Sequence, residues 1–265
     1  MGSSPRPTGG GPDILDEVTA ADVAACVRDT LEGVFDAVSE TRTDAAALLA
    51  SATESGRRPL TGDLAALRPG LHTRLTRLDL VSGAGFVAAP GLLADVSAWL
   101  EWWQIGAGGA VRPLLLDLDP ERSAYSDYTH WDWFTLARDT GRRAVAGPYV
   151  DYLCSDEYSL TLSVPVAVGG RFTGVAAADV YLSHFEAAVM PVMQKLPGPA
   201  FLVNARGRVA ASACADYLAG SLIKGPDFGA VLAGPADGVE HGGLRLRPCG
   251  DIPLILVTTP PVGRA

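Results

Sequence analysis

The sequence is short of basic charge. Its 265 residues hold 21 Lys and Arg against 30 Asp and Glu, a net charge of −9 at pH 7. The basic footprint that binds nucleic acid or an anionic membrane surface is missing. Cysteine is scarce too: Cys26, Cys154, Cys214 and Cys249 lie far apart, with no C-x-x-C pair and no His at ligand spacing. That pattern is neither a zinc site nor a disulfide framework, so no metal is expected, and the thiols are expected to be free or buried in a reducing compartment. No stretch approaches the ~20 apolar residues of a membrane span. "MGSSPRPTGGGPDILDEV" has no apolar signal-peptide run, and the chain as written is expected to be soluble and cytoplasmic. Catalytic motifs are also lacking. His72, His130, His184 and His241 are scattered, no G-x-S-x-G occurs, and "GAGGA" has neither the Lys-Ser/Thr of a P-loop nor full dinucleotide-binding spacing. "DLDPERSAYSD" offers too few ligands for a calcium loop. No enzyme activity and no cofactor are expected.

What is present is an ordinary globular composition, 48% hydrophobic and 19% charged, enough to bury a sizeable core. Aromatics make up only 7%, yet "YTHWDWFTLARDTGRRAVAGPYVDY" concentrates Trp131, Trp133, Phe134, Tyr149 and Tyr152 beside Asp132, Asp139 and Asp151. Aromatic faces with carboxylates nearby suit a cation.

Residues 1–13, rich in Gly, Pro and Ser, read as a disordered tail. In the segment 14–56, Val18, Val23, Val27, Leu31, Phe35, Val38 and Leu48 recur mostly at three- or four-residue intervals. This predicts one long helix, or two abutting ones, from about Thr19 to Ala52, capped by Thr19 or Asp22. "ESGRRPLTGDLAALRPG" breaks it, with one short turn over Asp63 to Leu67. The first unit, 57–182, has strand patterns in "LVSGAGFVAAP", "AWLEWWQIG" and "VRPLLLDLD", a helical turn ending at Gly141, and a hairpin across Gly169-Gly170. A connecting helix, 183–197, has Ser183 at the N-cap, Glu186 at capping-box spacing and a kink at Pro191. The second, smaller unit, 198–265, reads as strand–turn–strand, a helix in "ADYLAGSLI", and a strand pair in "GLRLRPCGDIPLILVTTP". The class is α+β: a long N-terminal helix carrying two units of one type with antiparallel sheets, the second reduced.

Three stretches carry a family likeness. "GPYVDY" followed by "LTLSVPVAVGGRFTGVAAADVYL", the upstream "DYTHWDWFTLA", and "AFLVNARGRVAAS" stand in the order and spacing of a double Cache domain. The chain resembles this PAS-like ligand-sensing module over roughly Thr19 to Pro260. The resemblance implies a soluble sensor whose first Cache unit holds the ligand. In amino-acid-binding members an Arg and a Trp-aromatic pair handle the carboxylate, while a Tyr-x-Asp step and a later Asp handle the ammonium. Here Trp133 and Phe134 fall on the pair, Tyr149 and Asp151 on the step, and Asp179 on the later Asp. Trp131 stands where the Arg would be, which implies a sensor of small cationic amines: primary, polyamine or quaternary ammonium. Tyr125 and Tyr128, with Trp102 or Trp103, are further cage candidates.

Other roles stay open for these residues. Asp179 suits a surface cap for the following helix, and Asp151 suits an Asx-turn. Trp131 shares a face with Trp133 only if that segment is extended; in a helix they diverge by about 200°. Trp102 and Trp103 are adjacent, so on a strand they face opposite ways. The partner is expected to be a separately encoded regulator or a second copy bound through the long helix. An interaction scaffold without ligand, or an amino-acid sensor, is the alternative.

Overall fold

A capping box starts the longest element. The Asp22 amide donates to the Thr19 hydroxyl at 3.3 Å, and the Thr19 amide donates to the Asp22 carboxylate at 2.8 Å. Two donors at the helix start are thereby satisfied. Helix α1, Ala20–Glu54, then runs unbroken for 35 residues, about 50 Å at 1.5 Å per residue. The single-helix reading holds. Val23, Val27, Leu31, Val34, Val38 and Leu49 form its buried stripe. The computed structural model describes residues 18–151 and 157–259, so the expected tail at 1–13 lies outside the described residues.

After α1 the chain is more helical than the sequence reading has it. Helix α2 (Thr61–Leu64), a 3-10 turn (Ala65–Leu67) and helix α3 (Arg68–Arg77) follow one another. "RPG", read as a breaker, starts α3 instead. Pro69 sits in the first turn, where its missing N–H costs no helical hydrogen bond. Arg74 of α3 bonds Glu40 at 3.0 Å and Asp44, both on α1.

The first sheet contains β1 (Val81–Ala88), β2 (Leu100–Ile105), β3 (Val111–Pro113), β4 (Ala144–Val150), β5 (Tyr158–Val168) and β6 (Arg171–Tyr181), with helix α4 (Asp132–Thr140) between β3 and β4. The spatial order is β3-β2-β1-β6-β5-β4, every neighbour antiparallel. The hairpin across Gly169-Gly170 forms as expected, with both glycines at positive φ. Two expectations change. The strand in "VRPLLLDLD" ends at Pro113; the Leu114 amide still bonds Trp102, and Leu115 is then 85% exposed. "GPYV", given no strand in the sequence reading, is the end of edge strand β4, whose register slips between Ala146 and Tyr149.

Helix α5 (Leu182–Met193) follows β6 without a loop. Tyr181, still extended, is its N-cap, so Ser183 lies inside the first turn and does not cap. Glu186 closes no capping box either; it accepts the Ser212 amide at 3.2 Å. The helix continues through Pro191 to Met193.

The second sheet contains β7 (Ala200–Asn204), β8 (Val209–Ser212), β9 (Val239–His241), β10 (Leu244–Cys249) and β11 (Ile252–Thr258), ordered β8-β7-β11-β10-β9. "ADYLAGSLI" is not a helix. Gly220 takes φ +84 there, outside helical space, and Leu222 bridges Arg208; the helix comes later as α6 (Phe228–Leu232). Helix α1 packs against β5 and β6 of the first sheet and β10 and β11 of the second. Arg143 ties the three together, bonding Glu32 of α1 and Asp251 of the β10–β11 turn, both at 2.5 Å.

Candidate functional site

Strand β5 alternates Ser159, Leu160, Thr161, Leu162, Ser163. Leu160 and Leu162 enter the core under α1, so the polar residues face the other way. That face is nonetheless covered: Ser159, Thr161 and Ser163 are all buried. On β6, Val175, Ala177 and Asp179 share the face, and Asp179 sits opposite Thr161 on one side and Gly83 on the other. Gly83 and Gly85 leave room for the Trp102 indole; a Cβ on Gly83 would stand 2.9 Å from Trp102 Nε1. Helix α4 roofs this small-residue floor, anchored where the Ser163 hydroxyl donates to the Trp133 carbonyl at 2.7 Å.

A polar relay crosses the floor. The Thr161 hydroxyl donates its one proton to Asp179 Oδ1 at 2.6 Å. Tyr149 is therefore the donor in its 2.5 Å bond to Thr161 Oγ1. Asp179 is 7% exposed and Asp151 4%. Burial first, and then the Asp151 charge, push the Asp179 carboxyl up to about 8, while the Thr161 hydrogen bond pulls it down. Burial therefore favours the protonated form of Asp179 beside the buried Asp151, and a cation in this site would favour the ionised form. Asp179 is thus no exposed cap for α5.

The aromatic residues divide. Trp131 is the extended N-cap of α4, half-buried, its ring 5.9 Å from Tyr149 in a T-shaped contact. Trp133 and Phe134 are on α4 proper and buried, Phe134 lying edge-on between Tyr128 at 5.4 Å and Phe172 at 5.7 Å. The Tyr128 hydroxyl donates to the Ala88 carbonyl at 2.8 Å. Tyr125 is 42% exposed in a loop that bridges Asp117. The structure therefore joins Trp131, Tyr149, Asp151 and Asp179, sets Trp133, Phe134 and Tyr128 into the packing beneath α4, and leaves Tyr125 at the surface. Trp102 faces the site side. Trp103 faces α3, with its ring 4.3 Å from His72 and its Nε1 donating to Glu101 at 2.8 Å.

Thr161 is the functional candidate that sequence reasoning passed over. Its signal is the alternation Ser-Leu-Thr-Leu-Ser, which reads as a half-exposed strand unless another element covers the polar face. Among the described residues no group of three or more His, Cys, Asp or Glu is placed to hold a metal ion, and no helix is long and apolar enough to cross a membrane. Cys26, Cys214 and Cys249 are free thiols; Cys154 lies outside the described residues.

Residues 116–187, which include α4 through β6, match the family model of the first PDC sensor domain of methyl-accepting chemotaxis protein-like proteins. No curated protein matches the sequence. Solved structures match across nearly the whole chain. Methyl-accepting chemotaxis protein X superposes with a TM-score of 0.63 at 18% identity, covering 91% of this chain and 96% of that one. The ligand-binding domain of the Campylobacter jejuni chemoreceptor Tlp3, in complex with L-norvaline, gives 0.56 at 15% identity, covering 90% and 87%. The ligand-binding domain of the Pseudomonas aeruginosa amino acid chemoreceptor PctC, in complex with GABA, gives 0.53 at 19% identity, covering 89% and 94%.

Proposed function

We propose that this chain, which shares its fold with chemoreceptor ligand-binding domains and has a stretch matched to a sensor-domain model, is a sensor whose first unit binds a small cationic amine. Asp151 and Asp179 compensate the charge, and Trp131 and Tyr149 supply aromatic faces. One observation carries the reading: the Tyr149–Thr161–Asp179 relay runs from a half-buried phenol to a buried carboxyl that the charge of buried Asp151 also reaches. L-norvaline and GABA, bound by two structures of this fold, both carry an ammonium group. The uncharged Trp131, two residues before Trp133, favours an amine over an amino acid. Binding would stabilise one arrangement around Tyr149 and Asp151, and α1, which touches both sheets, would carry the shift to a regulator or a second copy.

The test is a thermal-shift and calorimetric comparison of amino acids with their decarboxylated amines, alongside polyamines and tetramethylammonium. Amines should bind and their parent acids should not; tighter binding of the acids would overturn the amine assignment and favour an amino-acid sensor. Asp179→Asn should weaken binding at least tenfold. Because Asp179 must lose its proton to meet a cation, affinity for tetramethylammonium should rise as pH approaches about 8 and then level off. The ligand-free chain should show the opposite trend in stability. A carboxyl raised by folding contributes fully below its unfolded value of about 4 and loses that contribution as pH rises through about 8. A flat pH profile in both measurements would remove Asp179 from the site.

A further inference from the structure

A cleft of about 1090 Å³ opens between the two units. Neither Asp151 nor Asp179 lines it; Tyr149 does, and reaches Asp179 through Thr161. We infer that this cleft is a second ligand site, one that takes a small organic anion with an apolar body. The cleft shares Trp131 and Tyr149 with the proposed amine site but is lined by neither of its carboxylates.

The apolar walls come from both units: Trp131, Tyr149, Tyr158 and Leu136 from the first, Leu222 from the second. Among the described residues the ionisable lining is His130, Asp132, Arg206 and Arg208, with the phenols of Tyr149 and Tyr158. Two guanidiniums of that described lining thus face one carboxylate, in a chain of net charge −9.

Arg208 is the anchor. It is half-buried, its Nη1 donates to the Gly220 carbonyl at 2.7 Å, and among the described residues it makes no ion pair. Gly220 fixes a second group as well. A Cβ there would meet the Tyr158 ring at 2.8 Å, so the ring and the guanidinium flank one glycine. Asn204 holds the β7–β8 turn that presents both arginines. Its side-chain oxygen accepts the Arg206 amide at 2.9 Å and the Arg208 amide at 3.0 Å, and its nitrogen donates to the Gly147 carbonyl at 2.6 Å. Arg206 pairs with Asp132 at 2.8 Å, but both side chains are about half exposed or more, so water screens that pair. A guanidinium beside aromatic rings matches a carboxylate on a ring or short chain, through bidentate hydrogen bonds and ring contact.

The experiment is calorimetric titration of the intact chain with benzoate and indole-3-acetate, each paired with its neutral amide. The acids should saturate and bind at least tenfold tighter than the amides. R208Q should weaken acid binding at least tenfold, R208K should fall between, and D179N should leave it within twofold. The acid–amide comparison on the unaltered chain decides the matter if R208Q fails to fold. Absence of saturable acid binding, acids no tighter than amides, or an R208Q chain that binds as well would overturn the inference. Acid binding lost in D179N but kept in R208Q would overturn it too, by assigning the anion to the carboxylate site. Amine binding that fails while acid binding survives would count against the amine reading alone.

Discussion

On the side turned away from α1, the second sheet presents Phe201, Val203, Ile255 and Val257, whereas the first presents Ser159, Thr161, Ser163 and Asp179. Each side is covered by a helix. In the second unit α6 inserts Phe228 and Val231 and the interior is apolar. In the first, α4 roofs hydroxyls and a carboxylate joined by hydrogen bonds. Filling such a space with apolar groups stabilises a fold, while burying polar groups costs stability unless each finds a partner. The second interior is what packing alone produces. The first departs from it at Tyr149, Thr161 and Asp179, and the proposed amine site is built on that departure.

The largest expected effect belongs to the second unit. Phe228→Ala should cost about 3–5 kcal/mol in urea denaturation, since it empties a buried aromatic position. Amine affinity should stay within threefold. A loss below about 1 kcal/mol would mean the second face is no packed core. Thr161→Val is the counterpart in the first unit. It keeps the shape and removes both hydrogen bonds of the relay, at a cost of about 1–3 kcal/mol. Amine affinity should fall at least tenfold. Unchanged affinity would reduce the relay to a structural brace and erase the contrast between the sheets.

The sequence carried the contrast unevenly. The long helix was plain, because its apolar positions repeat at helical spacing and Thr19-x-x-Asp22 marks its start. Asp179, Asp151 and Tyr149 were found through a family pattern. Thr161 was not, because alternation along a strand says which residues share a face and nothing about whether that face is covered. Coverage depends on α4, which comes from a distant stretch. The same limit placed Tyr128 and Phe134 among cage candidates: an aromatic rim and an aromatic core look alike until the Tyr128 hydroxyl is seen bonded to Ala88. Glycine and proline misled in both directions. Pro69 opens a helix because it falls in the first turn, and Gly220 prevents one because its backbone is left-handed and pressed against Tyr158.

The smallest expected effect concerns the seam between the sheets. Arg143 and Arg206 both bridge the units, in different surroundings. Arg143 is 33% exposed, stacks 4.5 Å from the Phe35 ring centroid and meets two carboxylates. Arg206 is 74% exposed and, among the described residues, pairs with Asp132 alone. Arg206→Gln should therefore change stability by no more than about 0.5 kcal/mol, within the usual range for an exposed pair. The loss should disappear in high salt, where screening has already removed the attraction. A cost above about 1 kcal/mol that persisted in high salt would show that the seam is as dry as the interiors it joins, and that the two units do not fill their faces independently.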